Sequence, residues 1–245
     1  MYEIEKNPNL KIGKVDMNVD GILAKGILNP LPSSSFNFVY IGASNSGKTN
    51  LLYSLLKGGK KNRVRHGYRK VFNHVIVCSP SMGSAKNDIF EGLDDEKKWE
   101  EFNMDFLNFV NDNTSIASEN NETTLIVLDD VGSQLRKKQN IEKALVSMMQ
   151  NRRHRMLSCM MIVQQYKNLP TGIRSNLTHA AIFRPVNSKE AIAIHEELLA
   201  PIPKKELNDF FDFVYSEKFN FLFLDLSLQV SSQFRLFKNF DLIKL

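Results

Sequence analysis

The sequence lacks any long apolar run and contains only two cysteines. Its longest apolar stretches, such as residues 125–128 and 160–163, fall far short of the roughly 20 residues that span a bilayer. The first residues also lack the basic-then-apolar layout of a secretory signal. Cys78 and Cys159 lie in apolar runs typical of buried strands, where a thiol behaves as a small hydrophobe. We therefore expect no membrane segment and a reducing, intracellular setting.

The composition is that of a globular protein, with 42% hydrophobic and 24% charged residues in a chain of 245. This length suits a single α/β domain. Residues 1–35 contain Pro30, Pro32 and a run of serines, which predict an extended arm or a small cap. Residues 36–245 then form the main domain.

The formal net charge is +5, and the basic residues are unevenly distributed. One segment concentrates Lys57, Lys60, Lys61, Arg63, Arg65, Arg69 and Lys70. Such a segment suits a polyanionic partner such as nucleic acid, although a solvated loop explains it equally well.

Apolar runs alternate with segments of helical periodicity along most of the chain. Strands are predicted at residues 36–41, 71–78, 124–128, 157–163, 180–183 and 219–226, with the tail as an additional edge strand. Helices are predicted at residues 48–56, 99–110, 141–151 and 188–199, and a polar loop at residues 111–121. The alternation predicts an α/β fold with a mainly parallel sheet flanked by helices.

A glycine-rich segment between the first strand and the first helix fits the pattern G-x-x-x-x-G-K-[ST] at every fixed position. It consists of Gly42, Ala43, Ser44, Asn45, Ser46, Gly47, Lys48 and Thr49. The glycines let backbone N–H groups turn toward phosphate oxygens, and the following helix adds the positive end of its dipole. We expect Lys48 to reach the β- and γ-phosphates of ATP and Thr49 to bind Mg²⁺.

An acidic pair ends the third strand. A magnesium-dependent NTPase needs a carboxylate at the end of a strand near the phosphate loop, so Asp129 is the predicted metal ligand. Asp130 is predicted to orient or deprotonate the attacking water. The pair could instead form a turn or a helix cap. Residues 129–132 also read D-x-x-G, as in GTPase switches, but the guanine-reading N-K-x-D pattern is absent from the sequence.

Two amides, Gln164 and Gln165, end the fourth strand, where a side chain could contact both the γ-phosphate and the water. We take Gln165 as the sensor, while Gln164 could be structural, because neighbouring strand residues face opposite sides.

Arginines precede the same strand. Arg152, Arg153 or Arg155 could offset transition-state charge on the ATP of a neighbouring subunit. A solvated basic helix end explains each of them equally well. Arg174 and Arg184 are further candidates.

Three segments together resemble the FtsK/HerA superfamily, and within it the genome-packaging ATPases of large DNA viruses and virophages. They read IGASNSGKTNLL, TLIVLDDVG and NRRHRMLSCMMIVQQYKNLPTGIRSN. The first is generic to P-loop NTPases. The paired aspartates, the arginine-rich run and the later Leu-Pro and Ile-Arg-x-Asn are similar to poxvirus-type packaging enzymes, and the compact chain is similar to a virophage packaging ATPase.

This resemblance implies a RecA-like (ASCE) P-loop ATPase domain over residues 36–245, with the sensor strand between the strands that lead to Gly42 and Asp129. It implies a homo-oligomeric ring, a pentamer or hexamer, that drives double-stranded DNA into a preformed capsid. The implied roles are phosphate and magnesium binding by Lys48 and Thr49, metal binding by Asp129, water activation by Asp130 and γ-phosphate sensing by Gln165. It also implies docking on a capsid vertex or portal-like protein, in a viral factory or in the virion.

Two other classes of function remain open. One is a P-loop nucleotide kinase or switch that does not act on DNA. The other is a capsid-associated protein that binds ATP only to fold or assemble.

Overall fold

The computed structural model describes residues 23–61, 64–80, 90, 92–135, 138–227 and 235–244. In these ranges the strands are β1 (Asn37–Ile41), β2 (Lys60–Lys61), β3 (Val64–Arg65), β4 (His74–Cys78), β5 (Lys98–Trp99), β6 (Thr124–Asp129), β7 (Leu157–Val163), β8 (His179–Phe183), β9 (Phe221–Asp225), β10 (Arg235–Lys238) and β11 (Asp241–Leu242). The α-helices are α1 (Lys48–Lys57), α2 (Met104–Glu119), α3 (Gly132–Leu135), α4 (Gln139–Gln150), α5 (Thr171–Arg174), α6 (Ser188–Leu198) and α7 (Leu207–Val214).

Nine of these strands form one sheet, in the order β11-β10-β9-β8-β1-β7-β6-β4-β5. The strands from β8 to β5 in that order are parallel, whereas β9, β10 and β11 add antiparallel strands at one side. β7, which precedes the predicted sensor Gln165, lies between β1 and β6, as the resemblance implied. The predicted edge strand of the tail is confirmed by β10 and β11.

Strand alternation divides the core between the two faces of the sheet. In β7, Cys159, Met161 and Val163 join the core under α2, α4, α6 and α7, while Met160 and Ile162 join the core under α1. All seven residues of β7 are buried, because helices or loops cover both faces. This confirms the predicted α/β fold with a mainly parallel sheet flanked by helices.

The prediction for residues 99–121 was partly wrong. Trp99 lies in β5, and α2 begins only after Asn103, whose side chain accepts a hydrogen bond from the Phe106 N–H at 3.0 Å. The helix continues to Glu119, through the segment predicted as a loop. Thr114 and Ala117 extend its buried stripe, so tertiary packing outweighs the low helix propensity of the polar residues around them.

Other differences are smaller. β4 begins at His74, three residues later than predicted, and α7 was not predicted. The start of α6 is confirmed, since the Asn187 side chain accepts a hydrogen bond from the Glu190 N–H at 2.9 Å.

Part of the predicted N-terminal arm packs on the main domain. Leu31 is buried, and Leu23 and Ile27 lie against the aromatic core that α1 covers. Residues 1–22 lie outside the described ranges, and the division at residue 35 stays a prediction. No helix in the described part of the chain is long and apolar enough to cross a membrane.

Candidate active site

One edge of the sheet collects the phosphate loop and the polar residues that end the neighbouring strands. The carboxyl ends of parallel strands lie at the same edge. Gly42 follows β1, Gln164 follows β7, Asp129 ends β6 and Ser79 follows β4. These strands are neighbours in the order β1-β7-β6-β4. The fold therefore brings the phosphate loop, the acidic pair and an amide to one place.

The phosphate loop bends where the sequence provides glycine or asparagine. The Gly42 N–H donates to the Val163 carbonyl at 3.2 Å and so ties the start of the loop to β7. Asn45 and Gly47 adopt positive φ angles of 63° and 108°. A side chain at Gly42 would also collide, since a Cβ there would lie 2.7 Å from the Cβ of Phe183. The loop conformation thus depends on both glycines.

The N-terminus of α1 is free to bind an anion. Among the described residues no side chain caps it, and its first turn contains no acidic residue. The first N–H groups of a helix have no partner within the helix and carry the positive end of its dipole. Phosphate is the group that such a strand-loop-helix turn binds best.

Lys48 is held across this loop. Its side-chain Nζ donates to the carbonyl oxygens of Gly42 at 2.7 Å and Ala43 at 2.6 Å. An ammonium group has three N–H donors, so one remains for a phosphate oxygen. Burial lowers the pKa of Lys48, and the charges of Asp129 and Asp130 act in the opposite direction. The lysine and both carboxylates therefore belong to one electrostatic cluster.

Asp129 lies partly buried beside β4. Its Oδ2 accepts a hydrogen bond from the Ser79 hydroxyl at 3.2 Å. Burial raises the pKa of Asp129, and the charge of Asp130 adds to this, while the Ser79 hydrogen bond and the Lys48 charge lower it. Ser79 thus helps to keep the Asp129 carboxylate ionised and oriented.

The backbone conformation of Asp130 and one amide side chain orient its carboxylate. Its φ angle is +53°, in the left-handed region that aspartate tolerates better than most residues. The Gln164 Nε2 lies 3.3 and 3.2 Å from the two oxygens of the Asp130 carboxylate and donates to them. This contact fixes the orientation of the carboxylate, which a general base requires.

The adjacent amide, Gln165, is exposed. Its side chain makes no hydrogen bond within the ranges that the structure describes. Its sensor role stays a prediction. Gln164, for which the sequence left a structural role open, is the amide that contacts Asp130.

The described residues fit ATP and Mg²⁺. The Ser46 hydroxyl in the loop is buried and has no hydrogen-bond partner among the described residues, which leaves a polar group suited to a phosphate oxygen. Thr49 is exposed in the first turn of α1. Mg²⁺ keeps several waters and uses one or two protein oxygens together with phosphates. A threonine hydroxyl and the Asp129 carboxylate supply such a set.

The predicted arginines lie at the opposite edge of the sheet, before the amino end of β7. Arg152 donates to the carbonyls of Ser35 at 3.3 Å and Met149 at 3.2 Å, and burial lowers its pKa. Arg155 hydrogen-bonds Asn111. Arg153 is exposed and makes no hydrogen bond or ion pair through its side chain within the described ranges. The structure therefore does not bring these arginines to the phosphate loop of their own subunit.

Arg174 and Arg184 are engaged within the chain. Arg174 pairs with Glu197, donates to Thr171 at 3.1 Å and stacks on Tyr166. Arg184 follows β8 at the phosphate-loop edge and pairs with Asp212 at 2.8 Å.

Ser79 was missed by the sequence analysis. Its position directly after an apolar strand was the available signal, because polar residues at the carboxyl ends of parallel strands converge. In the sequence, however, Ser79 precedes Pro80 and looks like part of a turn.

Comparison with known protein families assigns the chain to one of them. The family described as poxvirus A32 protein matches residues 27–225, which is most of the sequence. The chain belongs to this family. The expectation of a P-loop ATPase of the viral genome-packaging type is thereby confirmed. No curated protein sequence matches the chain.

Solved structures with the same fold include the DNA-packaging ATPase B204 of Sulfolobus turreted icosahedral virus. It is 15% identical with a TM-score of 0.60, over 83% of this chain and 97% of that one. B204 of Sulfolobus turreted icosahedral virus 2 in complex with AMPPCP is 16% identical with a TM-score of 0.56, over 83% and 97% of the two chains. The pCW3 conjugation coupling protein TcpA is 16% identical with a TM-score of 0.52, over 84% and 61%. At this identity the likeness shows the P-loop ATPase fold.

Proposed function

We propose that this chain is an ATP-driven motor that moves double-stranded viral DNA into a preformed capsid. One observation carries the proposal. The uncapped N-terminus of α1, the Lys48 ammonium and the Asp129–Asp130 pair form a single electrostatic cluster at the carboxyl edge of the sheet. Membership of the poxvirus A32 protein family and the fold shared with the B204 packaging ATPases support the DNA substrate.

The proposed chemistry is hydrolysis of the γ-phosphate of ATP. The water oxygen attacks the γ-phosphorus, its proton passes to the Asp130 carboxylate, and the bond to the β-phosphate oxygen breaks. Gln164 orients that carboxylate through its amide, and Lys48 balances the charge of the β- and γ-phosphates. Gln165, at the same strand end, is the candidate that senses whether the γ-phosphate is present.

Thr49 and Asp129 are the proposed ligands of Mg²⁺, with Ser79 holding the Asp129 carboxylate in place. The bound ion would neutralise charge on the β- and γ-phosphate oxygens.

A ring explains why the arginines lie far from the loop. In a head-to-tail ring, one edge of each subunit meets the opposite edge of the next. Arg153 is the best candidate to reach a neighbour's ATP, because it is exposed and uncommitted in the described structure, whereas Arg152 and Arg155 make contacts within the chain. Ring size, a pentamer or a hexamer, is part of this proposal.

DNA contact is proposed for a basic surface beyond the end of α1. Its members are Lys57, Lys60, Lys61, Arg65, Arg69 and Lys70. The hairpin of β2 and β3 carries three of them, and all but Arg65 are exposed. Arg63 lies outside the described residues. Sequence-independent binding to phosphates is sufficient for a translocase.

The remaining parts of the proposal concern the setting. We place the enzyme in the reducing viral factory or the virion, docked on a capsid vertex or portal-like protein. The buried free thiols of Cys78 and Cys159 agree with a reducing compartment.

The test is the ATPase rate of the purified protein with and without double-stranded DNA, together with the mass of the oligomer. We expect DNA to stimulate hydrolysis in a ring-sized oligomer, and Lys48→Ala to abolish it. Lys189→Ala, at an exposed lysine of α6, is the matched control and should leave the rate unchanged.

The outcomes separate the rival functions. A rate unaffected by DNA would favour a nucleotide kinase or switch, and phosphate transfer to a nucleoside monophosphate would identify the kinase. Binding of ATP without turnover would favour a capsid-associated protein that uses ATP only for assembly.

A further inference from the structure

An exposed aromatic ring lies against the phosphate loop. Phe219, two residues before β9, is 53% exposed. A Cβ placed on Gly47 would lie 3.3 Å from the Phe219 Cδ1. The ring edge is therefore close to the last glycine of the loop. Exposure of a large aromatic side chain beside a ligand-binding loop leaves apolar surface for a ligand to cover.

The backbone that presents this ring is unusual. Phe219 has a φ angle of +70°, which is a genuine outlier for a bulky residue. Residues held in such a conformation persist where the surroundings fix them, and they are concentrated at functional sites. The Asn220 N–H donates to the Glu217 carbonyl at 3.3 Å. The Phe221 N–H donates to the Asn239 side chain at 3.1 Å, which fixes the start of β9.

The sheet order places this ring and the acidic pair on opposite sides of the loop. β9 is antiparallel to β8 and begins at the carboxyl edge, where Phe221 pairs with Phe183. In the order β9-β8-β1-β7-β6, β1 lies in the middle. Asp129, Asp130 and Gln164 stand on the β6–β7 side, whereas Phe219 stands on the β9 side.

This arrangement sets the direction of a bound nucleotide. If the γ-phosphate lies beside the acidic pair, as the proposed function requires, the base leaves the loop on the other side. That side carries Phe219. Every nucleic-acid base has a π-face, and stacking on an aromatic ring tolerates any of them.

We propose that Phe219 is the platform on which the base of bound ATP stacks, which rests on the proposed function of this site. Lys218 lies over the ring, with its Nζ 4.8 Å from the centroid. It is an exposed side chain, and its contact with the ring is weak enough for a base to replace it. Stacking on Phe219 increases the affinity for a nucleoside triphosphate and gives little selectivity between bases.

The experiment measures Kd by calorimetry for Mg–ATP, Mg–GTP and Mg–tripolyphosphate, which lacks a base. We expect Phe219→Ala to weaken ATP and GTP binding about 5- to 100-fold and to leave tripolyphosphate binding unchanged. Phe219→Trp should restore ATP binding. Phe219→Gly should weaken binding as Phe219→Ala does. Glycine adopts the positive φ of this position without strain, so a weakened Kd in this variant is not explained by misfolding.

Phe213 offers a matched control. It is 55% exposed on α7, and the Lys238 Nζ lies 5.0 Å from its ring centroid. Phe213→Ala should leave every Kd unchanged. Two results would overturn this inference and leave the proposed function standing. In the first, Phe219→Ala and Phe219→Gly bind ATP as tightly as wild type does. In the second, these variants lose affinity for tripolyphosphate as much as for ATP. If wild type binds neither ATP nor tripolyphosphate, the proposed function fails with it.

Discussion

The two ends of the sheet differ in the charges they carry and in how those charges are held. At the carboxyl edge, Asp129 contacts Ser79 and Asp130 contacts Gln164, beside the N-terminus of α1, which no described side chain caps. At the amino edge, Arg152 is committed to backbone carbonyls, while Arg153 stays exposed. One edge has the groups for binding and hydrolysis, and the other has a cation without a described partner. This difference is the reason for our proposal that the complete site forms between subunits.

Asp130→Asn removes the proposed general base from the carboxyl edge. We expect the ATPase turnover number to fall by about 10²- to 10⁴-fold, because the amide cannot accept a proton from water. ATP binding should persist, since the phosphate loop is unchanged. Steady-state kinetics and calorimetry measure the two effects. Asp112→Asn, at an exposed carboxylate of α2, is the control. Turnover within twofold of wild type in Asp130→Asn would rule out its role.

Arg153→Gln tests the amino edge. We expect a fall in turnover of about 10³-fold in the assembled ring with unchanged ATP affinity, because the arginine would act only on transition-state charge. Arg235→Gln, at an exposed arginine of β10, should have little effect.

Mixing two inactive variants makes that test specific. Arg153→Gln subunits keep Lys48, and Lys48→Ala subunits keep Arg153. In a mixed ring, an intact loop meets an intact arginine of its neighbour, and part of the activity should return. If mixing restores nothing while each variant still assembles, Arg153 does not act between subunits.

Ser79→Ala tests how firmly the carboxyl edge holds Asp129. We expect the Mg²⁺ concentration for half-maximal activity to rise about 10-fold or more, since outer-shell partners of metal ligands typically contribute that much to affinity. The variant also removes a hydrogen bond that lowers the pKa of Asp129. Ser79→Thr keeps the hydroxyl and should resemble wild type. An unchanged Mg²⁺ requirement in Ser79→Ala would show that the contact is dispensable.

The smallest expected effect concerns the pH dependence of stability and involves His179, at the amino end of β8. Burial lowers the pKa of His179 from 6.5 to about 4, and the charge of Arg152 adds to this, while Asp225 opposes it. Below about pH 6.5 the unfolded histidine gains a proton that the folded one does not. The free energy of unfolding should therefore fall as the pH drops from 6.5 toward 4, by at most about 3 kcal/mol.

Urea denaturation across this pH range measures the effect. His179→Gln should flatten the curve over that interval, whereas the exposed His154→Gln should leave it unchanged. An equally steep curve for His179→Gln would assign the dependence to other groups.

The sequence predicted the elements whose pattern is local. The phosphate loop follows from fixed residue types at fixed spacings, and β7 follows from an almost entirely apolar run covered on both faces. The second half of α2 could not be predicted in this way. Its residues are mostly polar, and the burial of Thr114 and Ala117 in the folded chain stabilises them as helix.

The site was predictable as far as neighbouring strand ends could be inferred. Asp129 and Asp130 were placed correctly at the phosphate-loop edge. The choice between Gln164 and Gln165 depends on which amide turns toward Asp130, and Ser79 matters only because β4 lies beside β6. Such facts arise from contacts between distant segments, which a single sequence does not show.

The most direct measurement is the structure of the assembled ring with Mg²⁺ and a non-hydrolysable ATP analogue. We predict the β- and γ-phosphates at Lys48 and the α1 N-terminus, the ion at Thr49 and Asp129, and Arg153 of the next subunit within hydrogen-bond distance of the γ-phosphate. A nucleotide bound away from Lys48, or an ion remote from Asp129, would contradict the account.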